Sequence, residues 1–176
     1  MPQEIDLSGH GVLLTGGAGD IGFATADLLS ELGAAVVLVD LRREAVEQAA
    51  ARLRQQGRAA YAFAADVRDA EALAAAAAFA AGACGNLRIC VAAAGVSSVY
   101  RVQELPLAVW EETLHINLTG AFLAARAAIP YLTRSGGAIV LISSASAESG
   151  SGGGAHYAAS KAGMLGLVRA LARELG

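Results

Sequence analysis

Short apolar runs alternate with longer, mixed segments along the whole chain. Val12–Leu14, Ala35–Val39, Ala60–Ala65, Arg88–Ala94 and Ala138–Ile142 are each too short for a helix and largely free of polar interruptions. Such runs read as strands buried on both faces. The segments between them carry apolar residues at helical spacing. The first helix follows Gly22, with Ile21, Leu28, Leu29 and Leu32 as its stripe. The second covers Arg42 to Gln56, with Ala45, Val46, Ala49 and Leu53 recurring and Gly57 as its stop. The third is alanine-rich, with Asp69 placed to cap it and Gly82 and Gly85 to break it. A long helical region runs from Leu107 to about Thr133, striped by Trp110, Leu114, Leu118, Phe122, Ile129 and Leu132. The last helix, from about Ala155 to Leu175, carries Met164, Leu167, Val168, Leu171 and Leu175. Residues 143–154 are serine, glycine and alanine in the main and read as a loop. This alternation predicts an α/β fold, a doubly wound parallel sheet covered by helices on both faces. No repeat or linker divides residues 1–176, which read as a single domain.

Two places break the regular pattern. Between the first strand and the first helix stand Gly16, Gly17, Gly19 and Gly22. Gly17-x-Gly19-x-x-Gly22 fits a dinucleotide-binding fingerprint, in which a pyrophosphate approaches bare backbone N–H groups at a helix N-terminus. That motif requires an acidic residue at the end of the next strand, about 20 residues on. Asp40 stands there, 18 residues after Gly22. The second break is Asn117, a poor residue for a helix interior, with Gly120 close behind. Together they predict a local kink with a freed backbone carbonyl.

Composition narrows the possibilities. Hydrophobic residues make up 55% of the chain, too many for a disordered one. No apolar run reaches bilayer length, and no membrane association is expected. The first residues, Met-Pro-Gln-Glu-Ile-Asp, lack a basic and apolar leader, which points to a cytoplasmic protein. The net charge is −3 with no basic stripe, so nucleic acid is not an expected partner. Cys84 and Cys90 have no metal-ligand spacing; they read as small buried hydrophobes, and no metal site is expected.

Tyr157 and Lys161 are four apart at the start of the last helix and share a face. They also lie beside the C-terminal ends of strands four and five, the crevice edge where open α/β sheets bind ligands. A free phenol ionises only near pH 10. An ammonium about 4 Å away supplies about 4 kcal/mol at an effective dielectric near 20, enough to make a phenol a working acid/base near neutrality.

These residues bring the chain close to a known family. Thr15-Gly16-x-x-x-x-x-Gly22, Asp40, Asp66-Val67, Ala94-Gly95, Asn117, Ser143-Ser144 and Tyr157-x-x-x-Lys161 resemble, in order and spacing, the short-chain dehydrogenase/reductase family. The resemblance covers Leu7 to Gly176 and implies a Rossmann-type sheet of order 3-2-1-4-5. The implied reaction moves a hydride between NAD(H) and a secondary alcohol or ketone. The implied catalytic residues are Asn117, Ser144, Tyr157 and Lys161. Tyr157 is the acid/base, Ser144 orients the substrate carbonyl, Lys161 supports the tyrosine and holds the nicotinamide ribose, and Asn117 holds a relay water. Ser144, not Ser143, stands 13 residues before the tyrosine, as in the family. The implied cofactor contacts are Gly16, Gly19, Asp20, Ile21, Asp40, Asp66, Val67, Ala93, Ala94 and Gly95, with Tyr157 and Lys161. Asp40 favours NAD over NADP, because its charge repels a 2′-phosphate. His156 is expected at a pocket rim or on the surface.

The chain also departs from the family. Asp20 replaces a usual glycine and is expected to turn away and cap the helix; Ala92-Ala93 replaces a usual pair of asparagines. The sequence stops after the Tyr/Lys helix, so it is expected to lack the family's last strands and the segment that closes over nicotinamide and substrate. Strand five would then be an edge, and the 176-residue chain alone poorly stable and weakly active. The alternative reading is therefore a truncated, non-catalytic nucleotide-binding remnant. Relatives pair through the long and final helices. A homodimer or homotetramer is expected here through Ala121, Ala124, Ala125 and Ala128 on one helix and Leu165, Ala170 and Ala172 on the other.

Overall fold

The computed structural model describes residues 5–176. Five strands, β1 (Gly11–Thr15), β2 (Ala35–Asp40), β3 (Ala60–Ala64), β4 (Leu87–Ala92) and β5 (Ala138–Leu141), form one sheet of order β3-β2-β1-β4-β5. Every pairing is parallel, as short apolar runs joined by helices require. The central register places Leu13 beside Val37 on one side and Cys90 on the other. Alternate residues serve opposite faces. Leu13, Val37, Val39 and Cys90 pack under α3 (Ala70–Cys84) and α5 (Gly120–Ser135). Val12, Leu14, Val36, Leu38 and Val91 pack under α1 (Asp20–Glu31) and α2 (Arg43–Gln55). Asp69 caps α3 as expected, accepting from the N–H groups of Glu71 and Ala72. Among the described residues β5 is an edge strand paired with β4, and its Val140 is 43% exposed.

Two helical stripes differ from expectation. On α1 the buried residues are Gly22, Ala26 and Ser30, whereas Ile21 and Leu28 are 62% and 57% exposed. The helix lies so close to the glycine loop that a Cβ on Gly22 would meet the Gly17 Cα at 3.2 Å. Only small residues fit that face, and the larger ones turn outward. The long region is also not one regular helix. It runs as α4 (Leu107–Leu114), a π-helical segment (His115–Thr119) and α5. The π segment holds Asn117 and is the local break predicted from it. Beyond it Ala121, Ala124, Ala125, Ala128 and Leu132 face inward, and Phe122 is exposed. Those four alanines therefore belong to the interior of this chain and cannot form a subunit surface. Gly120 has a packing reason: a Cβ there would stand 2.8 Å from a Val67 methyl. The serine- and glycine-rich stretch contains a single helical turn, α6 (Ser146–Ser149), before α7 (Gly154–Leu175) begins.

Candidate active site

Hydrogen bonds tie the glycine loop to the end of β2 and the end of β1, from which the loop leaves, to the end of β4. Gly17 N–H donates to the Val39 carbonyl at 3.0 Å, Ala93 N–H to the Thr15 carbonyl at 3.3 Å, and Ala18 N–H to Asp40 Oδ2 at 3.2 Å. The glycines within the loop serve different ends. Gly16 has φ +71°, and a Cβ on it would stand 2.7 Å from the Ala94 nitrogen. A Cβ on Gly17 would stand 2.6 Å from Leu38 Cβ. A Cβ on Gly19 would meet nothing nearer than the Gly16 carbonyl at 3.4 Å. Gly16 and Gly17 are thus small for packing, whereas Gly19 is small toward open space. Gly19 also caps α1 without any side chain, so the first-turn N–H groups of Asp20 and Ile21 keep the free donor character of a helix N-terminus.

A cavity of about 330 Å³ opens beside this loop. Its walls include eight of the expected residues: Gly16, Gly19, Asp40, Asp66, Val67, Ala93, Ala94 and Gly95. Leu41, Arg42, Ala65, Arg68, Val96 and Ile116 complete it. Asp20 and Ile21 are not in the lining. Asp20 is exposed and makes no capping bond; it borders a neighbouring depression with Phe23, Arg42 and Arg52. The expectation that Asp20 caps the helix is corrected: Gly19 holds the cap position, and Asp20, one residue inside the helix, makes no capping bond.

The two carboxylates of the cavity are both held. Asp40 accepts from the Ala18 and Arg42 N–H groups, each at 3.2 Å, and its Oδ1 lies 3.7 Å from Arg42 Nε. It joins the glycine loop to the end of β2 and does not cap α2, whose cap position is Arg42. Asp66 accepts from the Arg68 backbone N–H and from Nε and Nη2 of its guanidinium, the last at 2.6 Å. The Arg68 hydrogen bonds hold the Asp66 carboxyl below its ordinary range. Arg68 had no place in the sequence reading; its signal was the opposite charge two residues along.

None of the four expected catalytic residues is in the lining of this cavity; Asn117 and Lys161 stand just behind Gly95 at its edge. Asn117 is fully buried and clamps the segment after β4: Oδ1 accepts from Val96 N–H at 2.8 Å, and Nδ2 donates to the Val96 carbonyl at 3.0 Å. Nδ2 also donates to Ser160 Oγ at 3.0 Å, and Ser160 in turn donates to the Tyr157 carbonyl at 2.7 Å. Lys161 Nζ donates to the Ile142 carbonyl at 2.7 Å and stands 5.6 Å from the centre of the Tyr157 ring. Burial pulls the Lys161 ammonium below its ordinary value. Gly95 links the two halves. It lines the cavity, and a Cβ on it would come 3.2 Å from Asn117 Oδ1 and 3.6 Å from Lys161 Nζ. The two serines divide: Ser143 Oγ donates to the Lys161 carbonyl at 3.0 Å, whereas Ser144 Oγ bonds to the N–H and hydroxyl of Ser146, both at 3.2 Å.

His156 corrects a second expectation. It is fully buried, with Nε2 2.9 Å from Ser98 Oγ and its ring edge-on to Tyr100 at 6.2 Å. The segment after β4 folds over the first turn of α7 and covers it. Sequence offered no signal for Ser160 or His156 beyond their closeness to Tyr157. Cys90 is buried, which pushes its thiol up to about 12, and among the described residues no group of His, Cys, Asp or Glu could hold a metal. No described helix is long and apolar enough to cross a membrane.

Comparison with known proteins identifies the family. The short chain dehydrogenase family model matches residues 10–176. D-threitol dehydrogenase of Mycolicibacterium smegmatis is 40% identical over 98% of this chain and 67% of its own length. (−)-trans-Carveol dehydrogenase of Rhodococcus erythropolis is 38% identical over 96% of this chain and 66% of its own. A crystal structure from Sinorhizobium meliloti 1021, of a protein assigned as a short-chain alcohol dehydrogenase, superposes with a TM-score of 0.91 at 38% identity. It is covered over 69% of its length, and 98% of this chain is used. The chain thus spans about two thirds of the length of the relatives it matches.

Proposed function

The chain belongs to the short-chain dehydrogenase/reductase family, and from that premise we propose that it transfers a hydride between NAD(H) and a secondary alcohol or ketone. The observation that carries the reading is Gly95: one residue without a side chain borders the cavity beside the glycine loop on one side and the Asn117/Lys161 pair on the other. The chemistry of the lining suits the cofactor. Gly19 leaves a Cβ-sized space toward it, the uncapped start of α1 suits a pyrophosphate, and Asp40 suits a ribose diol. The nicotinamide, when bound, accepts or gives the hydride.

The chain's own residues handle the proton. Tyr157 takes it from the alcohol hydroxyl or returns it to the ketone oxygen. Ser144, held by the α6 turn, offers its hydroxyl to the same oxygen. Lys161 Nζ stands 5.6 Å from the centre of the Tyr157 ring, close enough to assist a proton transfer at the phenol. Its burial eases the proton off the ammonium, which suits a relay. Asn117 holds the floor of the site through Val96 and Ser160.

NAD is the preferred cofactor in this reading, because Asp40 puts a negative charge where a 2′-phosphate would sit. Small alcohols are the substrate class, in line with the carveol and D-threitol in the names of two relatives. Self-association, if the chain follows its relatives, uses the outward faces of α5 and α7, where Phe122 and Val168 are exposed. Oxidation of NADH against a panel of ketones, beside a titration of NADH binding, tests the function. Binding with no turnover on any ketone or alcohol would mark a nucleotide-binding protein without catalysis instead.

A further inference from the structure

The residue just before Tyr157 has a buried nitrogen with no partner. His156 is fully buried, and its Nδ1 makes no hydrogen bond, while Nε2 meets Ser98 Oγ at 2.9 Å. Orphaned buried donors are rarer than under-used acceptors. The ring proton therefore belongs on Nε2, donated to Ser98, and Nδ1 is left as a bare acceptor. A buried histidine that accepts this cost is held by its surroundings. Tyr100 lies edge-on to the ring at 6.2 Å. Gly154 lies so close that a Cβ on it would stand 2.9 Å from His156 Cε1 and 3.4 Å from the Tyr100 carbonyl. Its φ of +73° suits glycine for a second reason. Gly153, also at positive φ, leaves the matching space for the Tyr157 ring, which a Cβ would approach to 2.5 Å.

The segment after β4 is thus held at two points. Asn117 grips Val96 from one side of the site. His156 grips Ser98 from the helix that carries Tyr157 and Lys161. Between and beyond these points Val99 and Tyr100 present apolar surface to solvent, Val99 at 85% exposure. We propose that His156 is a positioning residue for the reaction: through Ser98 and Tyr100 it fixes segment 96–101 against the first turn of α7, and so sets the wall against which an alcohol or ketone meets Tyr157. This rests on the oxidoreductase reading for the reaction it serves, but the anchor itself is a property of the fold.

His156→Phe keeps the ring volume and loses the hydrogen bond. Ser98→Ala loses the same bond from the more exposed side and leaves the buried packing intact. His156→Gln keeps an amide donor near Ser98. Each is measured in the full chain by kcat and KM for an alcohol, by NADH dissociation constant, and by the rate of tryptic cleavage after Arg101, which is exposed in the held segment. Expected for Phe and for Ser98→Ala are at least a tenfold loss in kcat/KM carried mainly by KM, an NADH constant within threefold, and at least tenfold faster cleavage at Arg101. Gln should recover part of each loss, and the double variant His156→Phe/Ser98→Ala should be no worse than either single one. Unchanged cleavage at Arg101 would overturn the anchor whether or not the chain turns over, and unchanged kcat/KM in an active chain would overturn its role in positioning. Absence of turnover by the unmodified chain would instead overturn the oxidoreductase reading, and would leave the cleavage result standing on its own.

Discussion

Two alanine substitutions in the glycine loop should separate packing from cofactor binding. At Gly17 a new Cβ would stand 2.6 Å from Leu38 Cβ and 3.0 Å from its Cα, in the fully buried wall of β2. Neither atom is the flexible end of a side chain, so the strand or the loop must shift. Overpacking of this kind costs about 1–3 kcal/mol, or roughly 2–12 °C in Tm for a chain of this size. At Gly19 the backbone is extended, with φ −85° and ψ 164°, which alanine accepts. The nearest atom to a Cβ there is a carbonyl oxygen at 3.4 Å. Alanine is a poorer N-cap than glycine, a loss of up to about 1 kcal/mol. The reduced freedom of the unfolded chain returns about 0.4–1 kcal/mol. The two nearly cancel, so Gly19→Ala should keep Tm within a few degrees. Its methyl, however, occupies the space at the uncapped helix start that a pyrophosphate needs. NADH binding should weaken at least tenfold, about 1.4 kcal/mol. Thermal unfolding followed by circular dichroism and NADH titration by fluorescence measure both quantities. NADH binding by Gly19→Ala as tight as that of the parent chain, or an equal loss of stability in the two variants, would refute this division of roles.

Four further outcomes follow from the same geometry. The parent chain should bind NADH more tightly than NADPH, and Asp40→Ala should narrow the gap, since Asp40 is the one carboxylate of the cavity at the end of β2; tighter NADPH binding by the parent would contradict the assignment. Tyr157→Phe should abolish turnover yet leave NADH affinity within a few-fold, because the phenol's proton matters only in the transition state; retained kcat would remove Tyr157 from the acid/base role. Asn117→Ala removes three hydrogen bonds from a fully buried side chain, at about 1 kcal/mol each, and should lower Tm by roughly 6–12 °C; an unchanged Tm would mean water replaces the clamp. Arg68 holds Asp66 below its ordinary carboxylate range, so their contribution to stability is complete above the unfolded carboxylate value near 3.9 and is lost as pH falls through the lower, folded one. Asp66→Asn should flatten that part of an acid titration of stability and leave the slope above pH 5 alone; identical acid slopes for the two chains would refute the linkage.

Much of this protein was decided by local sequence. Five short apolar runs separated by helical segments leave little but a parallel sheet, and the glycines followed by Asp40 mark the edge where its candidate site opens. These features are legible because strand burial and helix starts depend on neighbours a few residues away. Asp69 as a cap and Asn117 as a helix break were readable for the same reason. What the chain buries, and how closely, was decided in three dimensions. Ile21, Leu28 and Phe122 look like core residues by period but are exposed. Gly22, Ala124 and Ala128 take the inner positions, because helices packed this close to a sheet admit only small side chains. Asp66 met Arg68 in a pairing that sequence only brings near. Above all, His156 and Ser98 are 58 residues apart and meet only because the segment after β4 crosses the start of α7. No pattern along the chain encodes that crossing; it follows from sheet order, which the packing of all five strands together decides.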